Sequence, residues 1–298
     1  RNRRPARHTR RMGEMSAPIG EGLYPSVPVD DYHADRASLS VSGAKLLMPP
    51  SCPAKFRYAQ DNPQPIRKVW DFGHVAHRLV LGKGSEFVVL HPDVHGLKVD
   101  GTPADAPTKT KNWADHEASA RAQGKIPIHI DEFERAQAMA AAVLEHPECG
   151  KWFQGQAEVS AYHRDPETGV RLRARVDMLG DDYITELKTS LTANPGDLER
   201  IFYKLKYHCQ NAWYQDLFSA VTGRDLKFRF VVVEKEPPHV VTPIVYDDIA
   251  IGDGRRLNRQ AIHLYKQCHD TGRWPGYSTG TEMISLPAWA LDEVELKL

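Results

Sequence analysis

One short stretch of the chain combines residue types that suit metal-assisted hydrolysis. Residues 171–189 read RLRARVDMLGDDYITELKT, with Asp177 upstream of Glu186 and with Lys188 two positions after Glu186. If the turn centres on the Asp181–Asp182 pair, Asp177 lies opposite Glu186 in an antiparallel hairpin, with Cβ atoms about 5 Å apart. Glu186 and Lys188 then share one face of their strand. The spacing therefore predicts two carboxylates and an ammonium in one patch.

Two neighbouring carboxylates repel each other unless a cation lies between them. A hard divalent ion with oxygen ligands, Mg²⁺ or Mn²⁺, meets that requirement. Such an ion polarises a phosphoryl oxygen and lowers the pKa of a bound water. The Lys188 side chain would orient or deprotonate that water, or stabilise the developing negative charge. The alternative is a solvated hairpin face with a weak cross-strand ion pair, but apolar Val176, Leu179, Ile184 and Leu187 flank the charges and indicate a covered hairpin.

The elements that position this patch follow from the spacing of apolar residues. The stretch 99–112 is polar and predicts a surface loop, and Asp131 is the expected N-cap of the helix after it. Strands bracketed by helices predict an α/β fold with a mixed central β-sheet flanked by helices. The predicted helices are 43–47, 54–60, 68–81, 131–146, 197–221 and 254–271, and the predicted strands are 157–162, 171–179, 183–189, 227–233 and 240–246.

The composition is that of an ordinary globular protein. The chain has 298 residues, 39 basic and 39 acidic, and 41% hydrophobic residues, which excludes collagen-like, highly charged disordered and membrane-spanning classes. No apolar run of about 18 residues occurs, so we expect no transmembrane helix and no membrane partner. The cysteines Cys52, Cys149, Cys209 and Cys268 form no CxxC pair. We therefore expect reduced thiols in a cytoplasmic protein.

The charge is unevenly distributed along the chain. Residues 1–13 contain six arginines and no acid, and a segment rich in Pro and Gly follows at 16–29. The head could bind phosphates, or it could be an untethered tail. We therefore predict a basic, flexible extension over 1–30 and a single domain over 31–298.

Several segments together resemble a known family. Asp177 with Glu186-Leu187-Lys188 resembles the D…(D/E)xK core of the PDDEXK nuclease superfamily. The residues 73–77, GHVAH, resemble the GxxxH helix of the RecE-like (exonuclease VIII) and RecB-type branch, with His77 at the histidine position. Further matches are the Q-x-x-x-Y pattern at Gln210 and Tyr214, the S-x-S … S-P-A-x-F opening over 40–56, and the closing segments 274–277 and 286–289.

This resemblance implies a restriction-endonuclease-like core and a phage-type exonuclease. It implies 5′→3′ degradation of linear double-stranded DNA, leaving 3′ single-stranded tails for homologous recombination. A ring-like homo-oligomer at DNA ends and a single-strand annealing recombinase as partner are implied as well. For the site, the resemblance implies that Lys188 positions water and that Mg²⁺ or Mn²⁺ is held by His77, Asp177, Glu186, the Leu187 carbonyl and Glu158.

Other polar residues have a functional and a structural interpretation. Gln210 and Tyr214 share a helical face and could contact a DNA phosphate, hold Lys188 or only pack. Arg173 and Arg175 share a strand face with Asp177 and could neutralise the acids or touch the DNA backbone. Three basic residues spaced by four in the helix at 197–221, Arg200, Lys204 and His208, form either a DNA-binding stripe or a solvated face.

Three other functions compete with the exonuclease. The first is a structure-specific or restriction-type endonuclease on the same core. The second is a catalytically inactive DNA-binding or assembly module, and the third is a hydrolase acting on another substrate. The chain has no GxxxxGK[ST] motif, so we expect no ATP-driven translocation within it.

Overall fold

The computed structural model of the chain describes residues 20–62, 71–287 and 289–290. The arginine-rich head at 1–13, the expected helix start at Lys68 and the residues from 291 onwards lie outside them.

A mixed β-sheet forms the centre of the described part of the chain. The strands there, in chain order, are β1 (Gly22–Tyr24), β2 (Leu39–Ser40), β3 (Phe87–Leu90), β4 (Ile126–His129), β5 (Gln156–Arg164), β6 (Arg171–Leu179), β7 (Tyr183–Ser190), β8 (Lys227–Glu234) and β9 (Val241–Ile244). The sheet order is β1-β5-β6-β7-β8-β9, and β2 pairs with β6. The β2–β6 and β7–β8 pairs are parallel, whereas the other neighbours are antiparallel. Strands β3 and β4 form a separate parallel pair.

Helices cover both faces of the central sheet. Their bounds are α1 (Val29–Ala34), α2 (Val41–Leu47), α3 (Pro53–Asp61), α4 (Asp71–Leu81), α5 (Pro92–His95), α6 (Lys111–Ala122), α7 (Ile130–Leu144), α8 (Pro195–Lys204), α9 (Tyr207–Thr222) and α10 (Asp248–Thr271). Helices α2, α9 and α10 pack on one face, and α4 and α7 pack on the other. None of the helices in the described ranges is both long and apolar enough to cross a bilayer. The predicted α/β class, with helices flanking a mixed sheet, is confirmed.

Strand β8 shows why the sheet must be covered on both faces. Phe228, Phe230 and Val232 pack against the α9 side, whereas Val231 and Val233 pack against α4 and α7. Because successive side chains of a strand point to opposite faces, an uninterrupted apolar run is buried only between two layers. The sequence run at 227–233 predicts such a strand, and this prediction is confirmed.

The helix expected over 197–221 is two helices. Helix α8 ends at Lys204 and α9 begins at Tyr207, because Lys206 takes a left-handed conformation with φ of 52°. The side chain of Lys206 donates to the Pro49 carbonyl, far away in sequence. Apolar residues of both helices face the same core, so the apolar spacing continues across the break. The predicted basic stripe is therefore wrong at His208, which lies on α9 and is buried.

Two further expectations change at the small parallel pair and its helices. The stretch expected to be a loop over 99–112 contains a 3₁₀ turn at Pro107–Lys109 and the start of α6, which Thr110 caps by accepting from the Trp113 N–H. The N-cap of α7 is His129 rather than Asp131, because His129 Nδ1 accepts the Asp131 N–H at 3.1 Å. Helix α10 likewise begins at Asp248, before the predicted start at 254, since Asp247 caps it.

All four cysteines are buried free thiols.

Candidate active site

The strands β6 and β7 separate where Asp177 faces Glu186. The last regular pair of their ladder is Met178 with Thr185, which places Asp177 opposite Glu186 as the turn predicts. Beyond that pair, side chains take over the bonding: the Asp177 N–H donates to Glu186 Oε1 at 3.0 Å, and the Leu187 N–H donates to Asp177 Oδ2 at 2.8 Å. Each carboxylate is thus held by the opposite strand's backbone.

Strand β5 is also interrupted at this point, by Glu158. The residues on either side, Ala157 and Val159, pair regularly with β6, but Glu158 has a φ of 56°. A left-handed conformation costs a residue with a Cβ about 1–2 kcal/mol. In this conformation the Glu158 carboxylate contacts two basic side chains. Its Oε1 lies 3.6 Å from His77 Nδ1, and its Oε2 lies 3.7 Å from Arg175 Nη1. Residues in such strained conformations cluster at functional sites.

His77 links the two acidic strands. Helix α4 buries Val75, Ala76 and Val80 on its inner face, and His77 projects to place Nε2 at 3.0 Å from Asp177 Oδ1. Burial disfavours the charged ring, but the carboxylates of Asp177 and Glu158 outweigh burial and raise the pKa of His77 to about 9. The imidazole therefore carries a proton at neutral pH when no metal ion is present.

Glu186 lies at the centre of a second set of contacts. Its side chain is only 3% exposed, and its Oε2 accepts from Lys188 Nζ and from Gln210 Nε2, each at 2.9 Å. Burial and then the charge of Asp177 raise the pKa of Glu186 to about 7. Burial opposes the charge on Lys188, but Glu186 and Asp177 outweigh burial and raise the pKa of Lys188 above its usual range. Lys188 is thus held as a cation.

Gln210 and Tyr214 take supporting positions on α9. Gln210 is buried and reaches Glu186, while Tyr214 packs against Phe228 with ring centroids 6.1 Å apart. Burial raises the pKa of Tyr214 well above its usual range, so its hydroxyl stays protonated. Gln210 therefore touches the acidic cluster directly, and Tyr214 lies one turn further along α9.

Of the four basic residues predicted to bind DNA, the structure brings one to the cluster. Arg175 lines the cleft beside Glu158 and donates to Ser160 Oγ at 2.9 Å. Arg173 is buried, with Nη1 at 3.2 Å from Asp35 Oδ2 and its guanidinium over the Tyr32 ring. Arg200 and Lys204 are exposed on α8, and neither lines the cleft.

The cluster opens into a cleft of about 800 Å³. His77, Glu158, Arg175 and Lys188 line it, together with residues that the sequence patterns did not single out as site residues. Those additions include Thr189 on β7 and Lys235 immediately after β8. The only sequence signal for Lys235 is its position just after a predicted buried strand.

The donor set suits a divalent cation. Asp177, Glu186 and Glu158 would supply carboxylate oxygens and Leu187 a backbone carbonyl, which are the oxygen ligands that Mg²⁺ and Mn²⁺ prefer. The His77 ring would add a nitrogen ligand. Among the described residues, no three His, Cys, Asp or Glu side chains form a ready-made metal cage. Burial raises the pKa of Glu186 and opposes the charge on His77, and the neighbouring carboxylates raise the pKa values of both, as expected for a cluster with an excess of negative charge. A divalent ion would offset that excess.

Comparisons with known proteins agree with this fold. A family model described as "PDDEXK-like domain of unknown function (DUF3799)" matches residues 40–287, a range that includes the whole cluster. No curated protein is similar enough to the chain to count as a match.

Two solved structures are similar to this chain. A crystal structure of a "putative exonuclease" from Eubacterium rectale is 13% identical, covers 90% of this chain and 98% of its own, and has a TM-score of 0.58. At that identity the likeness shows the fold alone, and it confirms the predicted core. An alkaline exonuclease from Laribacter hongkongensis is 20% identical over 66% of this chain and 95% of its own, at a TM-score of 0.27; that score supports no argument.

Proposed function

The chain belongs to the family of PDDEXK-like domains DUF3799, and we propose that it is a metal-dependent exonuclease that degrades linear double-stranded DNA. The observation that carries the proposal is the cluster at the strand opening, where Asp177 and Glu186 face each other and Lys188 reaches the cleft. A divalent ion, Mg²⁺ or Mn²⁺, would polarise the scissile phosphate and acidify a bound water when present.

The chain's own residues have separable roles in this proposal. Asp177, Glu186 and His77, with the Leu187 carbonyl, would hold the ion, and Glu158 would be a ligand of a second one. Lys188 orients the attacking water and faces the charge that develops on the phosphate oxygens. Water oxygen bonds to phosphorus as its proton passes to solvent. The P–O bond on the opposite side breaks, and the leaving oxygen takes a proton from solvent water. Gln210 positions Glu186 through their hydrogen bond.

The finer features of the activity are proposed from the family resemblance. They are 5′→3′ polarity, 3′ single-stranded products for homologous recombination, a ring-like homo-oligomer around DNA and a single-strand annealing recombinase as partner. Cytoplasmic localisation in a bacterial or phage-infected cell belongs to the same proposal.

The decisive experiment compares linear duplex DNA with covalently closed circular duplex of the same sequence, each with Mg²⁺ or Mn²⁺. We expect degradation of the linear form only, since an end-dependent enzyme leaves closed circles intact. Nicking of the circle would instead favour the endonuclease alternative. Phosphorothioate linkages at either the 5′ or the 3′ ends test polarity, and protection by 5′ linkages is expected.

A lysine pair tests the assignment of the site. Lys188→Ala should abolish degradation, whereas Lys266→Ala removes a half-buried α10 lysine paired with Asp270 and should leave the rate unchanged. Unchanged degradation by the Lys188→Ala protein would overturn the assignment. A wild-type protein that binds DNA without cleaving it under any metal would favour the inactive module.

A further inference from the structure

The cleft contains donors that the acidic cluster does not use. The side chains of Thr189, His74 and Lys235 line the same cavity as Lys188. Within the described residues, these three side chains make no hydrogen bond or salt bridge. By contrast, His77, Glu158, Asp177, Glu186 and Lys188 are bonded to one another. The cleft therefore has one part in which the charged side chains bond to one another, and another part in which the donors have no bonding partner among the described residues.

Strand pairing brings two of these donors together. Strands β7 and β8 are parallel, with Thr189 opposite Val233, and the Lys235 N–H donates to the Ser190 carbonyl at 2.9 Å. Lys235 lies two residues beyond Val233, so Lys235 and Thr189 point to the same face of the sheet. That is the face on which Val233 packs against α4.

Helix α4 supplies the third donor at the same place. A Cβ added to Gly73 would lie 3.8 Å from Thr189 Oγ1, so the helix backbone passes directly beside the hydroxyl. His74 follows Gly73, and both line the cleft. The donors thus come from three elements, and they lie beside the α4 turn that leads to His77.

The chemistry of this set is that of an anion site. An ammonium, a hydroxyl and a ring N–H all donate, and charge-assisted hydrogen bonds to phosphate are stronger than neutral ones. Two acids also line the cavity: Glu158 is engaged by His77 and Arg175, and Asp30 lies on α1 with His33. Among the described residues, neither acid forms a hydrogen bond or salt bridge with the side chain of Thr189 or Lys235.

We propose that Lys235, Thr189 and His74 bind a backbone phosphate of the substrate strand, at least one nucleotide away from the scissile phosphate beside Lys188. The inference rests on the proposed nuclease function and names a second point at which the same strand is held. Phosphate contacts position DNA without reading its sequence. Two such contacts on one strand would therefore set which phosphate lies beside Lys188, whatever the sequence.

The test uses two lysines of one strand. Lys235 lies just past the cleft end of β8, whereas Lys227 starts the strand, is exposed and has its Nζ 6.0 Å from the Tyr183 ring. Binding of a short duplex is measured by fluorescence anisotropy for Lys235→Ala and Lys227→Ala, each in the non-cleaving Lys188→Ala background. We expect about 10-fold weaker binding for the Lys235 variant and a change below about twofold for the Lys227 variant. Lys235→Arg should retain most of the affinity.

A scan of neutral phosphates then locates the contact. Single methylphosphonates are placed along the substrate strand, and one position other than the scissile one should weaken binding about 10-fold without weakening the Lys235→Ala protein further. The slope of log affinity against log salt should fall by about one for Lys235→Ala. Thr189→Val, which keeps the shape, should weaken binding about threefold to tenfold.

Other results would overturn the inference. One is an unchanged DNA affinity of Lys235→Ala at an unchanged melting temperature. A second is an equal loss of affinity in the Lys235 and Lys227 variants. A third is that every methylphosphonate weakens binding of Lys235→Ala as much as it weakens binding of the parent protein. Each leaves the nuclease proposal standing if the wild type degrades linear DNA. If the wild type does not degrade DNA but inorganic phosphate protects it from thermal unfolding through Lys235, the site binds free phosphate and the strand assignment is wrong.

Discussion

Two cavities of this molecule are lined by both acids and bases, and they differ in how the charges are matched. One is the cleft at Lys188. The other, of about 520 Å³, lies between the β5–β6 turn and helices α9 and α10. In the second cavity each lining carboxylate has its own guanidinium: Asp165 Oδ1 is 2.7 Å from Arg259 Nη1, and Asp216 Oδ1 is 2.9 Å from Arg255 Nη2.

The pKa values reflect that difference. Burial acts on Asp165, but bonds from Thr168 and Arg259 outweigh it and hold the pKa of Asp165 below its usual value. In the cleft, burial and a neighbouring carboxylate raise the pKa of Glu186 to about 7. A carboxylate paired with its own guanidinium is neutralised within the fold. Adjacent carboxylates that share donors repel each other, and a bound cation would relieve that repulsion. The mixture of charges alone does not separate the two cases.

The largest expected contrast comes from substituting one aspartate of the acidic cluster, Asp177, and one aspartate of the second cavity, Asp165. Asp177→Asn should lower the cleavage rate by about 10²–10³-fold. It should also lower stability modestly, because the charged contact with His77 is lost while the repulsion with Glu186 is relieved. Asp165→Ala should lower the free energy of unfolding by about 2 kcal/mol and leave the cleavage rate within about twofold of wild type. Urea unfolding and a linear-DNA assay measure both. Equal losses of activity would contradict the contrast.

The next effect is a pH dependence of stability in the metal-free protein. The folded-state pKa of His77 is raised to about 9, so its stabilisation is fully present below pH 6.5 and is lost as the pH rises through 9. A raised pKa of about 7 for Glu186 acts in the same direction above its usual 4.5. We expect urea midpoints in EDTA to fall between pH 6.5 and 9, and His77→Gln to flatten that fall. A rise over this range would show the sign to be wrong.

A smaller effect concerns the strained residue. At most positions Ala is more favourable than Gly, but the φ of Glu158 is 56°. Glu158→Gly should therefore be more stable than Glu158→Ala by about 1 kcal/mol. Both variants remove the contacts with His77 and Arg175, so their difference isolates the backbone conformation. Equal unfolding midpoints for the two proteins would remove the argument for strain.

The smallest effect is expected at the exposed residues of α8. The double substitution of Arg200 and Lys204 with Ala removes two charges outside the cleft. We expect DNA affinity to fall by no more than about threefold at moderate salt, since exposed charges contribute little once screened. Anisotropy measured over a salt series gives the value. A loss as large as that for Lys235→Ala would place the DNA path over α8.

The hairpin part of the site could be predicted from sequence because it depends on local rules. The turn at Gly180–Asp182 determines that Asp177 faces Glu186, and the period of two places Lys188 on the same face as Glu186. His77 could be placed on a helix from apolar spacing, but its approach to Asp177 came only from the family resemblance.

Other features depend on contacts between distant segments, which leave no local pattern. The break at Lys206 coincides with a hydrogen bond to the Pro49 carbonyl. The left-handed conformation of Glu158 accompanies contacts with His77 on α4 and Arg175 on β6. Arg173, predicted to bind DNA, is a buried partner of Asp35. None of these is visible in residue type or spacing.

The sequence distance between the parts of the cluster has a consequence for folding. Asp177 and Glu186 are nine residues apart in one hairpin, whereas His77 reaches them from a helix far upstream in the chain. Local contacts form early and distant ones late, because closing a long loop costs more entropy. A chain in which α4 has not docked therefore holds its carboxylate pair without the imidazole. The cluster is therefore complete only in a chain in which α4 has packed against the sheet.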